Sequence, residues 1–229
     1  MASRLTHLAT AKPLEQRLDI ADKERFEIGI ILPDAVLLNK NMRADSHFAE
    51  LFDNGKFKHY DAFAFYEKFS QLVMTDALYL GYYFHLIEDN IFRTYLYDKK
   101  YLGLIGRRGE PELLEELYRD YHTFNRILVR KFGLEDNLSV PQEFSDEPIN
   151  SIYPFELQEF LEQMSEDFTE HYECELIHFT EELYMKMTDE CVEVCAKEYA
   201  ALRNGTHFLD RYAYSFENKY SSKVRRDHK

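Results

Sequence analysis

The sequence predicts an all-α protein, a single compact multi-helix domain over residues 1–229. Three observations predict it. Apolar residues recur at helical spacing through most of the chain. The punctuating residues are few, eight Gly and six Pro in 229, and fall between the periodic stretches. No strand-like alternation is long enough to build a sheet.

The elements follow in order, six to eight helices in all. A short amphipathic stretch, Arg4–Ala11, is interrupted or restarted at Pro13. Asp19–Ile31 ends at Leu32-Pro33-Asp34, and a polar region, Asn39–Lys58, holds the turn signal Asp53-Asn54-Gly55. Asp61–Val73 and Thr75–Tyr97 run almost end to end. Glu110–Phe132 passes from acidic to basic, as the helix dipole favours, and Gly133 is placed to cap it. Residues 135–153, with Pro141 and Pro148, read as a long loop of the length found in lids and in loose connections. Pro154–Phe168 and Glu175–Arg203 complete the set, with Gly205 as a stop and residues 215–229 as a frayed tail.

Composition bounds the function. Twenty-eight Lys and Arg against 42 Asp and Glu give a formal charge of −14, which lacks the footprint for duplex nucleic acid or an anionic membrane. Three cysteines are too few for a disulfide framework. Cys191 and Cys195, four apart, read as small core residues. The first residues carry no apolar run of signal-peptide length, and the longest apolar candidate, around 28–38, contains Pro33 and Asp34. The expectation is a cytoplasmic protein with reduced thiols.

The informative residues are polar groups in apolar surroundings. In Thr75–Tyr97, apolar nearly all round, His85 and Asp89 share one stripe, with Gly81 a turn earlier to admit a close neighbour. A carboxylate there must be paired, protonated or bound to a cation. Asp34 stands at a helix end between aliphatic runs, where it caps a turn or aims inward at a cation. His47 in Ser-His-Phe and His7 in the opening stretch complete the candidates. Asp34, His47, His85 and Asp89, two His and two Asp with no thiolate, suit zinc or another divalent first-row metal such as Mn or Fe, in an open site. His171, Glu175 and His178 form a second spacing for one helical face, in acidic surroundings that suit a solvated surface.

With those residues in hand, the chain resembles the zinc-dependent phospholipase C-like family, whose helical fold is shared with fungal single-strand-specific nucleases. The matching segments are Arg4-Leu-Thr-His7-Leu-Ala, Phe26-Glu-Ile-Gly29-Ile-Ile-Leu-Pro33-Asp34-Ala, Ser46-His47-Phe48 and Leu80-Gly81-Tyr-Tyr-Phe-His85-Leu-Ile-Glu-Asp89, in the family's order. The resemblance implies that Asp34, His47, His85 and Asp89 hold one zinc. It implies further that Asp89 bridges to a neighbouring metal beside His7, and that Asp34 accepts a proton from the attacking water. A third metal is not implied. The family's further His falls on Tyr95, and where its next helix carries a His-x-x-x-acid pair, His122 is followed by Arg126. Arg93, Arg107 and Arg108 are the cations nearest in sequence to take over substrate charge; the last two lie in a glycine-punctuated loop entering a helix N-terminus.

The expected function is therefore a zinc-dependent phosphoester hydrolase, holding one zinc or two. Its substrate would be a small or flexible phosphodiester or phosphomonoester, with no duplex nucleic acid or stable membrane partner. Two alternatives stay open: a metal-stabilised helical scaffold or partner-binding protein with a degenerate site, and a metal-free core in which His85 and Asp89 simply satisfy each other.

Overall fold

The computed structural model describes residues 2–36, 44–169 and 174–218. Helix α1, Arg4–Leu18, begins on Ser3, whose side chain accepts from the Thr6 amide, and ends on Asp19 in the left-handed region at φ 54°. Pro13 lies inside this helix rather than ending it. Leu8, Ala9, Ala11 and Leu14 are buried on either side of it, so packing holds the turns where one backbone hydrogen bond is lost. Helix α2, Lys23–Ile31, is capped by Asp22 and tightens into a 3-10 turn at Leu32–Asp34, where Pro33 needs no amide partner.

Helices α3, Ala62–Thr75, and α4, Ala77–Tyr97, start on the N-caps Asp61 and Asp76, which accept from Ala64 N and Leu78 N. The all-round apolar character of α4 is explained by its position. It crosses α2 closely, packs on α3, and meets α7 (Glu181–Leu202) on another side. Glycines set the α2–α4 approach. A Cβ on Gly29 would stand 2.0 Å from Leu78 O, and one on Gly81 would stand 2.4 Å from Phe26 O. Helix α5, Pro111–Phe132, is closed by Gly133 at φ 62°, and α6 spans Leu157–Thr169. The mostly helical fold agrees with the sequence. Among the described residues no helix is long and apolar enough to cross a membrane.

Four details correct the sequence reading. A three-stranded antiparallel sheet exists: β1 (Ala49–Phe52), β2 (Phe57–Tyr60) and β3 (Phe216–Glu217), in the order β1-β2-β3. Its strands have four, four and two residues, too short for alternation to show. The turn signal was the visible part, because Asp53, Asn54 and Gly55 all have positive φ at the hairpin tip. Second, residues 215–218 are not frayed: Lys58 pairs with Phe216, and Asn218 binds Gly55 O and Lys56 O. Third, the last long helix starts at Glu181, so Glu175 and His178 lie before it and form no helical face, while His171 is outside the described residues. Finally, residues 135–153 are tied down. Phe144 and Ile149 are buried, and Glu147 pairs with Arg25 at 2.6 Å.

Candidate metal centre

The structure brings together all five residues singled out as metal ligands. His7 comes from the second turn of α1, Asp34 from the 3-10 turn after α2, His47 from the segment before β1, and His85 and Asp89 from α4. His7, His47, His85 and Asp89 are buried to 1 % exposure or less, and the Asp34 side chain is 8 % exposed. His47 is aimed by its neighbours: Phe48 takes a left-handed φ of 49°, and its ring packs edge-on to Phe65.

Each imidazole has its Nδ1 side tied off. His7 Nδ1 is 2.6 Å from Glu88 Oε2, and His85 Nδ1 is 2.8 Å from Ile30 O. His47 Nδ1 is 3.0 Å from Ser46 Oγ, which itself donates to Pro33 O at 2.8 Å. These partners accept, which assigns each ring proton to Nδ1 and leaves Nε2 with a lone pair. The Nε2 atoms of His47 and His85 converge. His47 Nε2 lies 3.2 Å from His85 Nε2, 3.2 Å from Asp34 Oδ1 and 3.6 Å from Asp89 Oδ2, while His85 Nε2 is 3.9 Å from Asp34 Oδ1. Tetrahedral donors on bonds of about 2.0–2.1 Å stand about 3.3–3.4 Å apart. Asp34, His47 and His85, with ligand atoms within 4.8 Å of one another, therefore form a three-donor group that fits one divalent cation.

A second, overlapping group shares His85. His7 Nε2 is 3.8 Å from Asp89 Oδ1, the two histidine rings stack at 4.1 Å, and the ligand atoms of His7, His85 and Asp89 lie within 4.8 Å of one another. His7 Nε2 and Asp89 Oδ2 are buried without a hydrogen-bond partner. Such orphaned buried atoms are costly unless a proton or cation sits beside them. Ala2 N also reaches Asp89 Oδ1, at 3.2 Å.

The electrostatics differ between the rings. Burial, reinforced by the charge of His7, pushes the His85 pKa well down and keeps that imidazole neutral, the form that ligates metals. Burial also works against charge on His7, but the Glu88 hydrogen bond and the carboxylates of Glu88, Asp89 and Asp34 outweigh it and raise its pKa. Burial raises the Glu88 carboxyl in turn.

Asp34 connects this cluster to solvent. It lines a cleft of about 470 Å³, together with Ser3, Arg4, Tyr121, His122 and Asp167. His122 thus faces the cleft without joining the cluster. Tyr95 is committed elsewhere, its hydroxyl donating to Glu190 at 2.6 Å and its ring stacked 3.9 Å from Tyr101. Arg107 is held by Glu110 and Glu116, at 3.0 and 2.7 Å. Arg93 and Arg108 remain near Tyr97, whose hydroxyl accepts from Arg93 and whose ring lies under Arg108. Cys191 and Cys195 are buried free thiols, raised well above the ordinary pKa by burial, and so are inert packing.

Sequence reasoning missed Glu88, although a second carboxylate beside Asp89 on an apolar helix was a usable signal. It also missed Ser46 as the support of His47, and Tyr121, whose buried hydroxyl has no hydrogen-bond partner. A further group, Glu50, His59 and Asp61, has ligand atoms within 4.8 Å of one another, but Arg211 already holds Asp61 at 2.6 Å. No family model matches the chain, and neither does any curated protein or solved structure.

Proposed function

We propose that the chain is a divalent-metal-dependent hydrolase of phosphoesters, with zinc as the metal. The observation that carries the reading is the meeting of His47 and His85 Nε2 with the Asp34 carboxylate, with His7 Nε2 facing Asp89 beside them and every Nδ1 already engaged. Such an arrangement is stable as a ligand set and costly as a bare core. The order of the phospholipase C-like segments supports the same reading.

His47, His85, Asp34 and Asp89 would hold one ion, and His7 with Asp89 a second. A bound divalent ion supplies Lewis acidity and acidifies water toward neutral pH. The residues of the chain do the rest. Asp34 alone of the five both touches the cluster and lines the cleft, so it is the group placed to take a proton from water beside a substrate. Glu88 and Ile30 O fix the ring orientations, and the buried walls around α4 keep bulk water from the Nε2 atoms. A cytoplasmic setting accords with the free thiols.

The degenerate-site alternative draws on Tyr95, whose hydroxyl and ring are both committed to packing contacts. Metal analysis of protein purified without added metal, beside Asp89→Ala, followed by turnover of p-nitrophenyl phosphate and bis(p-nitrophenyl) phosphate, decides between the readings. Near-stoichiometric metal lost in Asp89→Ala, with chelator-sensitive turnover lost in Asp34→Asn, is the expected result. Metal without turnover leaves the scaffold; metal that neither copurifies nor can be restored removes both metal readings.

A further inference from the structure

Three cations gather on the carboxyl-terminal side of the centre. Arg93 follows Asp89 by one turn of α4, so their side chains rise on the same face. Its guanidinium carbon lies 5.6 Å from the centre of the Tyr60 ring and 5.8 Å from that of Phe216. Lys58 Nζ stands 5.6 Å from the same Tyr60 ring. Arg108 stands 5.5 Å from the same Phe216 ring and 5.1 Å from Tyr97. Two rings thus collect three positive charges from β2, α4 and the loop before α5.

None of the three forms an ion pair among the described residues. Arg93 donates to the Tyr97 hydroxyl at 3.3 Å, and its Nε is buried without a partner; Arg108 donates to the Glu217 carbonyl at 3.2 Å. The contrast with other arginines is sharp. Arg4, Arg17, Arg25, Arg107 and Arg211 each hold a carboxylate, as expected in a chain with 42 acidic residues. Like charges held together repel, and burial with the charges of Arg93 and Arg108 outweighs the pull of Asp89 and brings the Lys58 ammonium down to about 8. An anion would remove that repulsion and satisfy the Arg93 donor.

We propose that Lys58, Arg93 and Arg108 form an anion subsite that takes a phosphate group of the substrate. Planar guanidinium donors and a compact ammonium suit a phosphate dianion better than a monoanionic diester. The assignment of the ligand to a substrate rests on the phosphoester reading; the existence of the subsite does not. The substrate class it selects is a phosphomonoester, or a molecule carrying a terminal phosphate.

Inorganic phosphate is the probe, titrated by calorimetry into protein stripped of metal with a chelator and into protein loaded with zinc. Stripped protein is expected to bind phosphate. Lys58→Gln and Arg108→Gln should each weaken binding at least tenfold with unchanged metal content and melting temperature, while the control Arg130→Gln should not. If turnover is present, Lys58→Gln should raise KM for p-nitrophenyl phosphate more than for bis(p-nitrophenyl) phosphate. Absence of phosphate binding to the stripped wild type, or equal binding by a folded Lys58→Gln/Arg108→Gln double variant, overturns the proposal. Because the stripped arm needs no metal, failure of the metal reading leaves this result interpretable.

Discussion

Gly81→Ala tests whether the α2–α4 spacing sets the candidate metal centre. The new Cβ would meet Phe26 O at 2.4 Å, Ile30 N at 2.7 Å and Gly29 C at 3.0 Å, all backbone atoms that cannot rotate away. Ordinary contact begins near 3.5 Å, so the helices must part by roughly 1 Å. That parting acts on the ligands directly. The Ile30 carbonyl that orients His85 accepts at 2.8 Å, and Asp34 follows α2 by a single 3-10 turn. A 1 Å shift carries the His85 hydrogen bond past its useful range and opens the 3.2 Å separation of Asp34 and His47. Overpacking costs about 1–3 kcal/mol and an orphaned buried donor about 1–3 kcal/mol, against a gain near 1 kcal/mol in helix propensity. The net loss, about 1–5 kcal/mol, lowers Tm by roughly 2–20 °C in a chain of this size. Scanning calorimetry and a competitive chelator titration for zinc are the assays. An unchanged Tm refutes the packing argument; a lowered Tm with unchanged zinc affinity refutes the claim that this crossing positions the ligands.

Other expectations can be checked on the same footing. Glu88→Gln removes the carboxylate that orients His7 without touching α2, so zinc affinity should fall about 10–100-fold while the far-ultraviolet circular dichroism stays the same. Glu15, near-buried beside Glu27, is raised to about 7 by burial and then by the Glu27 hydrogen bond and charge. A carboxyl raised on folding stabilises fully below its ordinary pKa, and that contribution is lost as pH climbs from about 4.5 to 7. Glu15→Gln should therefore melt close to wild type at pH 5 and higher than wild type at pH 8; a larger advantage at pH 5 would contradict the sign. Asp120 accepts from the amides of Ile177, His178 and Phe179 at 2.7, 2.8 and 3.0 Å, so Asp120→Asn should cost about 1–3 kcal/mol in urea melts with metal content unchanged. Tyr95→Phe should lose about 1 kcal/mol and no metal; metal loss would place Tyr95 in the centre after all.

The residues show why some of this was legible in the sequence. Helix α5 announced itself with Pro111 at its start and Gly133 at its end, and α4 with an apolar character that only a central position explains. His85 and Asp89 stood out because ionisable groups in such surroundings demand a partner. Gly81 was readable as a close approach, though its neighbour, the backbone of α2, was not, because crossing geometry depends on residues distant in sequence. The hairpin escaped because four-residue strands carry too few periods. Pro13 misled because its local penalty is set against buried neighbours that only tertiary packing supplies. Lys58 was invisible for a related reason: its meaning arises where β2, α4 and the loop carrying Arg108 come together around Phe216.

The packing of α1 against α7 has a consequence for biogenesis. Asp34, His47, His85 and Asp89 all lie within a span of 56 residues and can meet once α4 has left the ribosome. The helix of His7 is held in two stages: α2 and Glu88 are available early, whereas Tyr184, whose hydroxyl meets Thr6 at 2.5 Å, and Glu193, which pairs with Arg17, come later. At about 5–20 residues per second, the 95 residues between Asp89 and Tyr184 take on the order of 5–20 s to translate. A nascent chain therefore passes through an interval in which α1 has met α2 and Glu88 but still lacks its partners on α7.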